Sequence, residues 1–260
     1  MTSNSTSSCD CKITLQDLFT KKMCNLDDRV IEYLSKAIDL LEKSKNLDEL
    51  VEVLDDLAKV YQAKGDMPNA TGTLLREANV LETLGDLNGK ASVVMMVGSW
   101  WYQEGDNAAA IAMYRQALEI FMVIGNIPKV AEAYQNLGTA YRNAGQFEDA
   151  HGCFQKSMGI NEELGRFAEI AWTFGSMARA YDMEGKGFET IDAKQESIDT
   201  YLGLDARREA AEGLAELADL QAKHDKQDAV NASLEQAPVL YEELNMLDQA
   251  SQCRSKKMND

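Results

Sequence analysis

Proline is scarce in this chain. Three occur in 260 residues, Pro68, Pro128 and Pro238. Each falls near a helix start or inside a helical stretch, which favours a helical chain over a strand-and-turn fold. Positive charge is short too: 26 Lys and Arg stand against 43 Asp and Glu, a net charge of −17. That surplus repels nucleic-acid phosphates and anionic membrane surfaces, so neither is expected as a partner, and a basic partner is favoured. No apolar run reaches the roughly 18–20 residues that span a bilayer, so no membrane insertion is expected. The opening MTSNSTSSCD holds neither a basic nor an apolar segment, so it does not read as a secretory signal, and a cytoplasmic location is the expectation. The five cysteines (Cys9, Cys11, Cys24, Cys153, Cys253) are odd in number and scattered, which predicts free thiols rather than a disulfide framework.

The residues of catalysis are equally sparse. There are two histidines, His151 and His224. Glu148-Asp149-Ala150-His151 has the Glu-x-x-His spacing of di-iron bundles, but no second such motif accompanies it. Cys9-Asp10-Cys11 lacks the second pair that four-ligand metal binding requires. Gly185-Lys186-Gly187 lacks the third glycine and the preceding strand of a dinucleotide loop. No phosphate loop, nucleophile elbow or calcium loop is present. The sequence thus predicts no enzyme, no cofactor and no metal.

What the chain does contain is a repeat. At an offset of 40 residues it matches itself without gaps over most of its length. Gly65, Gly105, Gly145 and Gly185 share one column, and Gly85, Gly125 and Gly165 another. Aromatics recur at Tyr61, Trp101, Tyr141 and Tyr181, and large apolar residues at Leu57, Val97, Leu137, Met177 and Leu217. Beside the latter runs a small column, Ala58, Gly98, Gly138, Ala178 and Ala218. Further columns read Ala70, Ala110, Ala150, Thr190, Val230; then Leu74, Tyr114, Phe154, Lys194, Leu234, with the lysine as a miss; then Leu84, Ile124, Leu164, Leu204, Leu244.

Each copy is predicted to be two helices. In the third, Val130, Ala131, Tyr134, Leu137, Gly138 and Tyr141 step by three or four, one helical stripe that Gly145 closes. A second helix starts near Phe147, carries Ala150, Phe154, Ser157 and Met158, and ends at Gly165. Short turns make such helices antiparallel neighbours. The small column is expected to let the paired helices approach, and the aromatic column to fill the space between them.

Tyr134, Leu137-Gly138, Tyr141, Gly145, Ala150 and Phe154 resemble the signature of the tetratricopeptide repeat, over about residues 26–257. The 40-residue period resembles the longer variant of kinesin light chains, Leu-Gly-Asn polarity adaptors and bacterial peptide-sensing regulators. The resemblance implies an all-α, right-handed solenoid of antiparallel helix pairs, with a concave groove lined by the first helix of each pair and used to bind peptides or partner helices.

The expected organisation is a disordered tail over residues 1–11 and a single solenoid over 12–257. Within it lie a degenerate first unit (12–45), full repeats at 46–85, 86–125, 126–165, 166–205 and 206–245, and a capping helix at 246–257. In the first unit a short helix, Ile13 to Met23, is expected to pair with a second, Asp27 to Ser44. The last full copy is degenerate, with Gln221 in the aromatic column and Asp225 in the glycine column.

The period also yields candidate groove residues. They are Asp55 and Asp56; Ser92, Met95, Met96, Ser99 and Tyr102; Gln135, Asn136, Thr139 and Arg142; Trp172, Ser176 and Arg179; Glu212 and Glu216. The inferred groove is acidic at both ends with an apolar, neutral-polar middle. Met95, Met96, Tyr102 and Trp172 have two readings: ordinary core, or surplus apolar residues on a binding surface. Asn136 matches the groove asparagine with which the family holds a ligand backbone. Asp55, Met95 and Trp172 stand where a clamp for a chaperone's C-terminal carboxylate needs basic or amide residues. The expected function is a non-enzymatic adaptor for a protein or peptide, specifically a basic, amphipathic segment, with the protein itself monomeric or weakly self-associating. The rival readings are a peptide-responsive regulator or a self-assembling scaffold.

Overall fold

The computed structural model describes the backbone of residues 15–224 and 227–256, and the side chains of 28–224 and 230–256. The predicted tail at 1–11, Cys9, Cys11, Asp225 and the side chain of Cys24 lie outside the described residues. Cys153 and Cys253 are free thiols.

The described residues form twelve α-helices and no strand, an all-α solenoid architecture. The chain divides into two compact units, Met1–Asp86 and Leu87–Asp260. The first holds α1 (Leu15–Ser44), α2 (Leu47–Ala63) and α3 (Met67–Leu84). Its core is Ile38, Leu50, Leu54 and Leu57, closed over by Leu34, Leu41 and Tyr61. The second holds α4 (Leu87–Gln103), α5 (Asn107–Ile124), α6 (Ile127–Asn143), α7 (Phe147–Glu163), α8 (Phe167–Glu184) and α9 (Gly187–Gly203). It continues with α10 (Arg207–Lys223), α11 (Gln227–Glu243) and α12 (Leu247–Lys256). Within this unit each helix packs on the next in chain order, and α6 also touches α4 and α8, the first helices of the neighbouring pairs.

The turns explain the period. A left-handed residue closes helices at Lys45, Gly65, Gly85, Gly105, Gly125, Gly145, Gly165, Gly185, Asp205 and Asn245, a spacing of twenty residues or its multiple. The next amide donates back five residues in the chain: Gln146 to Tyr141, Arg166 to Asn161, Lys186 to Tyr181. Most of these positions are glycine because other side chains disfavour that backbone conformation. The following residue often opens the next helix. Side-chain oxygens of Asp66, Asp106 and Asn126 accept from the amides of Asn69, Ala109 and Lys129 at 3.3, 2.9 and 3.3 Å.

Two expectations need correction. The first unit does not begin with two helices, because α1 runs unbroken through residues 24–26. No glycine or proline lies between Leu15 and Ser44, so nothing there supplies a left-handed turn. The column ending each second helix lies at the surface: Leu84, Leu164, Leu204 and Leu244 are exposed, beside the left-handed turn rather than between helices. Of the aromatic column only Tyr141 is buried, while Tyr61, Trp101 and Tyr181 are half-buried.

The small column does what its position predicts. A Cβ on Gly138 would stand 2.6 Å from Phe154 Cε1, and one on Gly98 2.8 Å from Tyr114 Cδ1. Both distances lie well inside van der Waals contact, so the ring rests on bare backbone. Where Ala58 and Ala218 replace glycine, the residue sixteen positions on is leucine rather than an aromatic. The degenerate fifth pair keeps a satisfied core: Gln221 is buried and its Oε1 accepts from Ser233 Oγ at 3.0 Å.

Gly138→Leu should therefore destabilise the fold by about 1–3 kcal/mol or more, the usual cost of overpacking. Gly138→Ala combined with Phe154→Leu should recover part of that loss by reproducing the Ala58 and Leu74 combination. Urea unfolding of the variants checks both. A Gly138→Leu protein that melts within about 2 °C of wild type would show that the ring does not depend on this backbone.

Candidate functional site

Helices α4, α6, α8 and α10 carry a line of cavities on one side of the second unit. The largest group of candidate residues meets in a cavity of about 350 Å³ lined by Ser99, Tyr102, Asn136, Thr139, Arg142, Trp172, Ser176 and Arg179, together with Gln103 and Tyr114. A second, of about 220 Å³, lies towards α10 and includes Glu209, Glu212 and Glu216. A third, of about 410 Å³, takes in Gln135, Asn136, Glu169 and Glu209. Trp172 borders all three and is 41% exposed, so the core reading fails for it.

The core reading holds for Met95, which is 6% exposed. Ala91, Val93, Val94, Val97 and Trp100 are buried as well, so α4 is covered over most of its circumference rather than along one stripe. Met96 is half-buried and borders none of these cavities. Ser92 is spent within its own helix, where Oγ donates to the Asn88 carbonyl at 2.9 Å. Ser176 and Arg142, expected on an open face, are 1% and 8% exposed and form the cavity floor.

Polar side chains knit the floor. Gln135 Nε2 donates to Thr173 Oγ1 of α8 at 3.3 Å, and Thr139 Oγ1 donates to the Gln135 carbonyl at 3.0 Å. Asn143 Nδ2 donates to the Tyr102 hydroxyl at 2.9 Å, while its Oδ1 accepts from Arg142 Nε and Nη2 at 3.1 and 3.0 Å. Burial pulls the Arg142 guanidinium below the usual arginine range, and the like charge of Arg179 adds to the effect.

Lining residues that belong to second helices escaped the sequence reading, Tyr114 and Lys194 among them. The Tyr114 hydroxyl donates to Ser99 Oγ at 3.1 Å, so its ring is core and its tip is groove. Burial raises its pKa above the ordinary tyrosine value. Lys194, the miss in the same column, is buried with Nζ donating to Glu216 Oε2 at 2.5 Å. A hydroxyl and an ammonium in an otherwise apolar column were the available signals.

The acidic ends are paired rather than bare. Glu212 accepts from Arg208 at 3.1 Å, and Glu216 holds Lys194, with Arg179 at 3.9 Å. In the first unit Asp55 is paired with Lys59 and Asp56 is exposed. The histidines serve structure: His151 stacks on Tyr181 with centroids 4.3 Å apart and meets Glu184 at 2.5 Å, and His224 meets Asp182 at 3.2 Å. Among the described residues no group of three or more His, Cys, Asp or Glu is arranged to hold a metal ion, and no helix is long and apolar enough to cross a membrane.

Stacked antiparallel helix pairs with a Gly-aromatic contact define the tetratricopeptide class, and residues 94–163 match the family model for the tetratricopeptide repeat. The fold is that of a tetratricopeptide-repeat solenoid. It is 29% identical over 106 residues to the transcription activator GutR of Bacillus subtilis (strain 168), covering 41% of this chain and 12% of that protein. The chain thus spans a small fraction of this relative's length. BtubC (BKLC) from P. vanneervenii superposes with a TM-score of 0.67 at 17% identity, over 84% of this chain and 92% of that one. A Rap protein complexed with Competence and Sporulation Factor superposes with a TM-score of 0.54 at 17% identity, over 93% and 72%.

In the first unit, Glu77 is buried beside Asp55 and Lys59, and its Oε2 has no hydrogen-bond partner. Burial, then the Asp55 charge, pushes its pKa up to about 7. A carboxyl whose folded pKa is raised binds its proton more tightly folded than unfolded, so stability is greatest below about pH 4.5 for this group and falls as pH rises towards 7. Glu77→Gln should remove that fall and raise stability at pH 8 by about 1 kcal/mol, a figure reduced for screening by Lys59 and solvent. Urea unfolding of both proteins between pH 5 and 8 checks it; parallel profiles would show that Glu77 is ionised throughout.

Proposed function

We propose that this protein is a non-catalytic adaptor that holds a peptide segment of a partner protein along α4, α6, α8 and α10. The observation that carries the reading is Trp172: a large aromatic, 41% exposed, where three cavities meet. Buried aromatic anchors of this kind dominate peptide affinity. Asn136 borders two of those cavities and offers both a donor and an acceptor to a ligand backbone, and the amide of Gln135 lies beside it. Towards α10, Glu209 and Glu212 suit Lys or Arg of a basic, amphipathic ligand.

A second reading, the sensor module of a larger regulator, draws on the partial match to a transcription activator. Both readings place the ligand in the same groove and differ in what the rest of the polypeptide does.

Trp172→Ala discriminates between binding and packing. Its melt should stay within about 0.5 kcal/mol of wild type, as for other exposed residues. Affinity for peptides selected on the wild-type protein from a random display library should fall by about 2 kcal/mol or more, roughly 30-fold. A large loss of stability would return Trp172 to the core, and unchanged binding would move the ligand to another face.

A further inference from the structure

Two guanidiniums, Arg142 and Arg179, line the cavity of about 350 Å³, and no carboxylate lines it with them. Arg142 is 8% exposed, and its Nη1 is buried without a hydrogen-bond partner. Its other two nitrogens donate to one neutral acceptor, Asn143 Oδ1, and the Tyr102 hydroxyl beside it also supports the charge. Arg179 reaches only Glu216, at 3.9 Å, and that carboxylate is already held by Lys194 at 2.5 Å. A protein with a net charge of −17 therefore buries one guanidinium without a carboxylate partner and places a second, exposed one beside it, whose carboxylate Glu216 is shared with Lys194. Buried charges of this kind are ordinarily matched by an opposite charge, because desolvation without one is costly.

We infer that this cavity is a recognition site for an acidic side chain of the bound peptide, whose carboxylate pairs with Arg142 and Arg179. The inference rests on the groove reading above and adds the chemistry of one ligand residue. A guanidinium fork matches a carboxylate in geometry as well as charge. Tyr102, Tyr114 and Trp172 give the same cavity apolar walls for the methylene stem and its neighbours. The cavity shares Trp172 with both adjoining cavities, so a peptide passes through it rather than ending in it, which selects a side-chain carboxylate over a chain terminus. Both the burial of Arg142 and the nearby charge of Arg179 disfavour the charged guanidinium, and a bound carboxylate relieves both penalties.

The test uses the full chain and two N-acetylated, C-amidated peptides, Leu-Leu-Asp-Leu-Leu-Lys and its Asn counterpart, with inorganic phosphate as a third probe. Binding is read from the Trp172 indole and Arg142 Nε signals in NMR titrations. The Asp peptide should bind about 10-fold more tightly than the Asn peptide, as expected for one charge-assisted pair. Arg142→Gln should abolish that preference. Arg179→Gln, at an exposed position where folding is not at stake, should reduce it. Equal affinity for the two peptides overturns the carboxylate site while leaving the groove intact. So does a preference that survives both substitutions, or phosphate that displaces the Asp peptide at matching concentration. Failure of both peptides to shift Trp172 overturns the groove reading itself.

Discussion

The contact between an aromatic ring and a stretch of backbone without a side chain sets the geometry of the central repeats. Phe154 lies on Gly138 and Tyr114 on Gly98 at distances that leave no room for a Cβ. The ring fixes how closely paired helices approach, and that spacing is transmitted to the next pair through the short left-handed turns. Because each turn consumes so few residues, the antiparallel direction follows without any long-range signal. First helices then fall beside one another, as α6 does with α4 and α8, and their outer faces become a shared surface.

The same column that builds the core also sets the polarity of the groove. Its members are Leu74, Tyr114, Phe154, Lys194 and Leu234. The apolar members end in the core. Tyr114 and Lys194 extend past it, so that a hydroxyl meets Ser99 and an ammonium meets Glu216. A long side chain rooted between two helices is held along its stem and arrives with little freedom left to lose, which favours precise polar contact at its tip. A departure from the repeat pattern is thus informative. The lysine that breaks the apolar column is what neutralises Glu216 and leaves Arg179 with a distant partner.

Period, helix pairing and the small column were legible in the sequence because each depends on local chemistry: a glycine where the backbone turns left-handed, or a missing side chain where a ring must sit. The site was legible in part. Trp172, Asn136, Tyr102, Thr139 and Arg179 follow from helical phase alone, and they do line one cavity. Met95 lies in the core, and Arg142 and Ser176 line the cavity more deeply than expected, because phase fixes direction around a helix and says nothing of what the neighbouring helix covers. The unbroken α1 shows the limit of register arguments where no turn residue punctuates the chain.

Net charge proved a poor guide to local charge. The chain carries an excess of carboxylates, yet several of those at the groove are engaged: Glu212 with Arg208, and Glu216 with Lys194. The charge at the groove floor that has no carboxylate partner is positive, on Arg142, with Arg179 beside it, while Glu209 lies towards α10. Long-range steering responds to the summed field and favours cationic ligands, whereas short-range pairing responds to what each cavity leaves uncompensated. Under the proposed reading, a ligand that satisfied both would be acidic where it crossed α6 and α8 and basic where it approached α10. Such a gradient would fix the direction in which a peptide lies, because the reversed peptide would set like charges against each other at both positions.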